Sequence, residues 1–360
     1  MYQSFEAKNF RCFRDFAIQD LARVNLIAGF NNVGKTALVE ALFLHCGAYN
    51  PGLINNLLGH RGIPRIVTPH TERAEGPWAS VFRGFDTSAN VQLRGQFDDG
   101  NQRTLRLRVV RDPVDLTRIR AMFFPPQGDA DNQSLPFSLT HVLELEYRGK
   151  QRDGKVYLIL GPHEPFVYPK SPPAPFPAFI VPAGARVPIG EDAQRFSDLE
   201  VAGQQEVLLE SLRIIEPRLV KLSLNVSGGL TLIHAQRASG PLMPLVYFGE
   251  GMVRIASMVL EIASARGGVV LVDEIENGIH HSILQDLWKV IAETTQKFGA
   301  QVVATTHSWE CILAAHRAFA GSPEYDFRLH RLDRVDDAVR AVTYDKDSIE
   351  GAIKARLEVR

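Results

Sequence analysis

Arg23 to Cys46 reads RVNLIAGFNNVGKTALVEALFLHC. An apolar strand (Arg23 to Ala28), a glycine loop and an apolar-faced helix (Lys35 to about Cys46) follow one another, which is one half of a βαβ unit. Gly29-Phe30-Asn31-Asn32-Val33-Gly34-Lys35-Thr36 fits G-x-x-x-x-G-K-[ST] in full. The glycines let backbone wrap closely around phosphate oxygens. Backbone N–H groups from Gly29 through Asn31, Asn32 and Val33 to Gly34, with the helix N-terminus, then face the anion. Lys35 is a point charge for the β and γ phosphates, and Thr36 offers a hydroxyl to Mg²⁺. The expected ligand is a nucleoside triphosphate, ATP with magnesium.

Such a loop needs an acid to hold the metal, and Val269-Val270-Leu271-Val272-Asp273-Glu274 supplies one far along the chain. Four apolar residues predict a buried parallel strand. Asp273 ends it, where ligands gather in open α/β sheets, and is the candidate metal ligand. Glu274 is the candidate to orient and deprotonate an attacking water. The next strand, Gln301 to Thr305, ends in Thr306-His307-Ser308. His307 there can hydrogen-bond a γ-phosphate.

The rest of the chain bounds the class. It has 360 residues, 45% of them hydrophobic, and a formal net charge of −1. That is enough for one large domain or two fused lobes and argues against a strongly basic nucleic-acid coat. Cys12, Cys46 and Cys311 form no CxxC pair and read as reduced, buried thiols. The polar N-terminus is no signal peptide, and no apolar run approaches the ~20 residues needed to span a bilayer. The expectation is a cytoplasmic protein with no membrane contact.

Ser4 to Phe16 predicts a strand with a turn. Asn50 to Pro77 reads as loop. Residues 78–180 read as a mostly antiparallel β layer, with a hairpin at Asp98-Asp99-Gly100. The proline-rich stretch Pro162 to Pro188 reads as linker. Ser197-Asp-Leu-Glu200 predicts a capping box opening a helix to Ile214. Strands follow at Leu219 to Val226 and Thr231 to Ala235, helices at Gly251 to Ala265 and His281 to Thr295, and a hairpin at Tyr325 to Tyr344. Asp333, Asp336 and Asp337 read as solvated turn residues.

KNFRCFRDF followed by VNLIAGFNNVGKTALVEALF resembles the N-terminal lobe of the ABC-type ATPases of the SMC, Rad50 and RecF group. PLVYFGEGMVRIASMVLEIA, GGVVLVDEIENGIHHSIL and QVVATTHSWECI resemble more closely the AAA-family ATPase domain of OLD-type (overcoming lysogenization defect) proteins. The resemblance implies an α/β P-loop NTPase with an ABC-ATPase-like two-lobe head. Its parts would be a mixed or parallel core sheet, an antiparallel β layer and a helical lobe. It implies one domain over 1–360: a phosphate-loop lobe (1–50), a β-rich insertion (51–180), a helical and signature region (181–250), a lobe with the acidic strand and His307 (251–325), and a terminal hairpin and helix (326–360).

The resemblance also implies a signature motif, Phe248-Gly249-Glu250-Gly251, contacting the γ-phosphate held by a partner subunit. Gly249 stands where the usual motif has serine, so backbone N–H groups at Gly249 and Gly251 would do the binding. Glu276 to His280 takes the place of the D-loop, with His280 where the family has aspartate. Arg11 and Arg14 lie where the group places residues near the nucleotide, and Gln92 and Gln96 are candidates for the Q-loop glutamine. Two chains would sandwich two ATP molecules as a homodimer. The chain ends about 50 residues after His307, too few for the Toprim nuclease domain that OLD-type proteins often carry. The expected role is then an ATPase controlling a separate effector, such as a nuclease in antiviral defence. The alternative is a RecF-like ATPase clamping duplex DNA, through a basic face made by Arg103, Arg106, Arg108 and Arg111.

Overall fold

The computed structural model describes residues 1–48, 50–61, 78–123, 141–150, 152–160, 165–184, 188–322 and 324–355. Tyr2–Phe10 (β1) and Phe13–Ile18 (β2) form an antiparallel hairpin turning at Arg11 and Cys12. Val24–Ala28 (β3) is buried throughout, and Lys35–Cys46 (α1) has the bounds its apolar spacing predicts. Leu53–His60 (α2) is a helix in a stretch read as loop, while 62–77 lie outside the described residues. Val91–Phe97 (β4) and Gln102–Val110 (β5) pair across the expected Asp-Asp-Gly turn. Pro113–Phe123 (α3) was not anticipated. Val142–Gly149 (β6), Gly154–Leu160 (β7) and Pro165–Tyr168 (β8) continue the antiparallel layer.

Two sheet elements correct the linker reading of Pro162 to Pro188. One is β8. The other is Ala178–Val181 (β9), which pairs in parallel with Val269–Val272 and so belongs to the core sheet. An edge strand can carry flanking prolines because one side of it makes no ladder. The capping-box reading is also corrected. Ser197 lies inside Ile189–Val201 (α4), which starts after Pro188 with Glu191 and Asp192 in its first turn, and Glu206–Leu212 (α5) follows beyond Gly203. Proline and acids suit a helix start, which is why the boundary falls earlier.

Leu219–Ser227 (β10), Leu230–Arg237 (β11) and Met243–Pro244 (β12) form a small antiparallel sheet. Glu250–Ser264 (α6), Val269–Val272 (β13), Leu284–Phe298 (α7), Gln301–Thr305 (β14) and Trp309–Ala320 (α8) follow. Phe327–Val335 (β15) and Ala338–Tyr344 (β16) make the predicted hairpin, followed by Lys346–Lys354 (α9). Among the described residues no helix is long and apolar enough to cross a membrane.

The antiparallel layer runs β2-β1-β4-β5-β6-β7-β8, and the core sheet runs β16-β15-β3-β14-β13-β9. Within the core sheet every pairing from β15 to β9 is parallel. Strand parity sorts side chains into two cores. Val270, Val272, Val302, Ala304, Leu26 and Phe327 face helices α4 to α8. Val269, Leu271, Val303, Ile27 and Leu332 face α1 and, beyond it, the antiparallel layer. Helix α1 therefore lies between two sheets, and every residue from Ala37 to Cys46 is buried. A helix covered on all sides has no use for a polar stripe. Its two buried polar groups are partnered: Glu40 with Arg11 at 2.9 Å and Arg61 at 2.6 Å, and His45 with the Tyr2 hydroxyl at 2.6 Å.

Candidate nucleotide site

Strands β3, β14 and β13 are adjacent and parallel, so their carboxyl ends open on one rim. That rim carries the phosphate loop, Thr305 and Asp273 side by side. Gly29 has φ +141° and Gly34 φ +117°. A Cβ at Gly29 would stand 2.6 Å from the Leu332 carbonyl oxygen, and one at Gly34 2.8 Å from Cys12 Sγ. Side chains at these two positions would collide with neighbouring protein atoms, so the loop holds this curved path only with glycine there. Gly34 caps α1 with no side-chain hydrogen bond, which leaves the first N–H groups of the helix directed at the loop. Such a cradle fits a phosphate chain.

Lys35 Nζ lies over the loop, donating to the carbonyls of Gly29 at 2.6 Å and Phe30 at 3.2 Å. Burial lowers its pKa, opposed by the nearby carboxylates of Asp273, Glu274 and Glu276. Thr36 Oγ1 donates to Asp273 Oδ2 at 3.0 Å, so the two candidate metal donors already touch. Asp273 is 8% exposed. A hydroxyl and a buried carboxylate on one rim are oxygen donors that suit a hard divalent cation.

Glu274 is half-buried and sits at φ +48°, a region L residues avoid. His307 is exposed on the same rim, its Nδ1 3.3 Å from Glu276 Oε1. Glu276 also accepts from the Thr306 hydroxyl at 2.8 Å and from the His307 N–H at 3.0 Å. Glu276 was read only as part of a loop. Its spacing three residues after Asp273, opposite the strand-end threonines, was the available signal.

Gly249, at φ +107°, caps α6. A Cβ at Gly251 would stand 3.0 Å from the Gly278 carbonyl oxygen, so the signature turn packs on the D-loop segment of its own chain. A second link comes from Arg254 on α6. It donates to the carbonyls of Asp273 and Glu274, both at 2.8 Å. No motif pointed to Arg254, although it lies one helical turn beyond Glu250.

Arg11 and Arg14 differ from a simple nucleotide-facing pair. Arg11 is buried against Glu40, and Arg14 bonds Asp337 at 2.9 Å. Asp337 also takes Arg83, so it is an ion-paired clasp on the hairpin turn rather than only a solvated residue. Asp333 pairs with Arg331 at 2.7 Å. Gln92 and Gln96 lie on β4 in the antiparallel layer, not on the core sheet. The four arginines do not form one basic face. Arg103 packs over Phe97 and Phe176, Arg108 is held by Glu144 and Asp115, Arg111 bonds Thr87, and Arg106 lies 4.0 Å from Glu146.

A phosphate loop and an acidic strand end on parallel strands separated by one strand, under an antiparallel layer, define a P-loop ATPase with the fold of an SMC head. The head of an SMC protein, solved bound to the C-terminal winged-helix domain of ScpA, superposes with a TM-score of 0.53 at 13% identity, covering 98% of this chain and 99% of that one. The chain belongs to the AAA family described as "AAA domain, putative AbiEii toxin, Type IV TA system", whose model matches residues 24–312. It is an AAA-family ATPase. An "ATP/GTP phosphatase" of Helicobacter pylori is 25% identical over 382 residues, 97% of each chain. A 48-residue stretch is 40% identical to the "Uncharacterized protein MJECL10" of Methanocaldococcus jannaschii, over 13% of this chain and 22% of that protein.

Proposed function

We propose that the chain hydrolyses ATP with magnesium and that ATP draws two copies into a sandwich. The observation that carries this reading is the contact of Thr36 with Asp273, with Glu274 beside it and Lys35 over the loop. Glu274 orients a water in line with the γ-phosphorus and takes its proton as the bond to the β,γ-bridging oxygen breaks, giving ADP and phosphate. Lys35 and the loop N–H groups stabilise the charge that develops on the phosphate oxygens. Thr36 and Asp273 would hold magnesium, which when bound supplies positive charge to the phosphates. His307, braced by Glu276, hydrogen-bonds the γ-phosphate.

The Gly249 to Gly251 turn, exposed at Gly249 and Glu250 and half-buried at Gly251, completes the site of a second copy through backbone N–H groups. Resemblance to OLD-type ATPase domains supports a further step, in which the dimer controls a separate effector such as a nuclease in phage defence. The test is ATP turnover and solution mass of wild type and Glu274→Gln. The variant is expected to lose turnover and accumulate as an ATP-bound dimer. Wild-type turnover in Glu274→Gln overturns the base assignment, and a monomer at saturating ATP overturns the sandwich.

A further inference from the structure

We propose that Thr305 is a positioning residue for hydrolysis, which fixes the direction of Glu274 and of Asp273 at once; the inference rests on Glu274 being the base. Thr305 is the last residue of β14, between the phosphate-loop strand and the acidic strand, and is fully buried. Its Oγ1 donates to Asp273 Oδ1 at 2.6 Å and accepts from the Glu274 N–H at 2.8 Å. Its carbonyl accepts from the Ile275 N–H at 3.0 Å. One residue thus meets three consecutive residues of the neighbouring strand end.

A hydroxyl has one proton and two lone pairs. Here the proton is committed to the Asp273 carboxylate, so a lone pair faces the Glu274 N–H. That N–H belongs to a residue at φ +48°. Such a conformation in an L residue persists only where the surroundings over-determine it. They do so from both sides of the residue: Thr305 holds the N–H, and Arg254 holds the carbonyl at 2.8 Å. Removing the hydroxyl releases the N–H side, and the Glu274 carboxylate loses its fixed aim. It also leaves the Asp273 carboxylate held by the Thr36 hydroxyl, at 3.0 Å. Valine matches the shape of threonine but leaves a buried N–H and a carboxylate oxygen without their partner.

The proposal predicts a specific pattern in full-length Thr305→Val, Thr305→Ser and Glu274→Gln variants and the Thr305→Val/Glu274→Gln double variant. Thr305→Val lowers kcat by about 10- to 100-fold, as a displaced catalytic group does. Its affinity for ATP stays within about threefold of wild type. The Mg²⁺ concentration for half-maximal turnover rises. Thr305→Ser, which keeps the hydroxyl, restores kcat. In the Glu274→Gln background the valine substitution lowers the residual rate by a smaller factor than in wild type, because only its effect through Asp273 remains.

Thr305→Ala, which adds no bulk, carries the same expectation should the valine variant not fold. Three results overturn the proposal: wild-type turnover in both Thr305→Val and Thr305→Ala; parallel loss of kcat, ATP affinity and Tm that serine does not rescue; or an undiminished valine effect in the Glu274→Gln background. Wild-type turnover in Glu274→Gln itself removes the base assignment and this inference with it. That result is distinct from one in which only the Thr305 variants keep full activity.

Discussion

The Thr36 hydroxyl meets the Asp273 carboxylate at 3.0 Å across 237 positions of sequence. The contact ties the start of α1 to the end of β13 before any phosphate arrives, so the metal donors need little rearrangement. Asp273→Ala is expected to abolish Mg²⁺-dependent turnover, with a loss of at least about 100-fold in kcat/KM. Phosphate release over a Mg²⁺ titration checks it. Wild-type turnover with an unchanged Mg²⁺ dependence in the alanine variant would show that Asp273 is not a donor.

Among the described residues, the hydrogen bonds of Lys35 Nζ go to the loop carbonyls of Gly29 and Phe30. Lys35→Ala should therefore leave Tm within a few degrees of wild type while ATP affinity falls by about 10-fold or more, since the lost group is a charge for phosphate rather than a packing element. Calorimetric titration with ATP, alongside a thermal melt, separates the two effects.

Gly29→Ala places a methyl group 2.6 Å from the Leu332 carbonyl at φ +141°. The obstacle is backbone of β15, which cannot rotate away. The variant should lose about 2–4 kcal/mol of stability and most of its nucleotide binding, and urea unfolding measures the first. An unchanged unfolding midpoint would mean that β15 yields.

Glu40 is the buried partner of Arg11, with side-chain exposures of 3% and 9%. Glu40→Ala leaves the Arg11 guanidinium buried without its carboxylate, at a cost of about 3–5 kcal/mol. The double variant Glu40→Leu/Arg11→Met should recover most of that loss, because the buried unpaired charge is gone and Arg61, whose side chain is 41% exposed, can turn to water.

Glu261 on α6 is buried, and burial raises its pKa to about 8, against the opposing pull of Arg195. The folded state therefore holds a proton that the unfolded chain releases near pH 4.5. This contribution to stability is complete below about pH 4.5 and is lost as pH rises through about 8. Glu261→Gln, neutral throughout, should flatten that slope and exceed wild type by about 1–3 kcal/mol at pH 9. Thermal melts from pH 5 to 9 decide it, and parallel curves for the two proteins would refute the shift.

Local pattern made much of this fold legible. The phosphate loop, α1, β13 and β14 are each specified by residues within a few positions of one another, and their bounds agree with the spacing. Elements that depend on a distant partner were not legible. Strand β9 is four residues among prolines, and it is a strand because β13 lies beside it. Helix α4 begins before the serine that looked like its cap, since tertiary burial of Phe196 and Leu199 extends the helix past that signal. The same holds within the site. Lys35, Thr36, Asp273 and Glu274 could be named from motifs. Thr305, Glu276 and Arg254 act through the register of adjacent strands and the packing of α6, which no short window of sequence encodes.

Strand β3 (Val24–Ala28) is flanked by β14 (Gln301–Thr305) on one side and β15 (Phe327–Val335) on the other, both far along the chain from it. During synthesis the phosphate loop leaves the ribosome well before the strands that hold it and before the Leu332 carbonyl that closes on Gly29. A nascent chain therefore carries the motif without the pocket. Nucleotide capture thus marks a chain made through β15, and a product broken off before β15 is denied it.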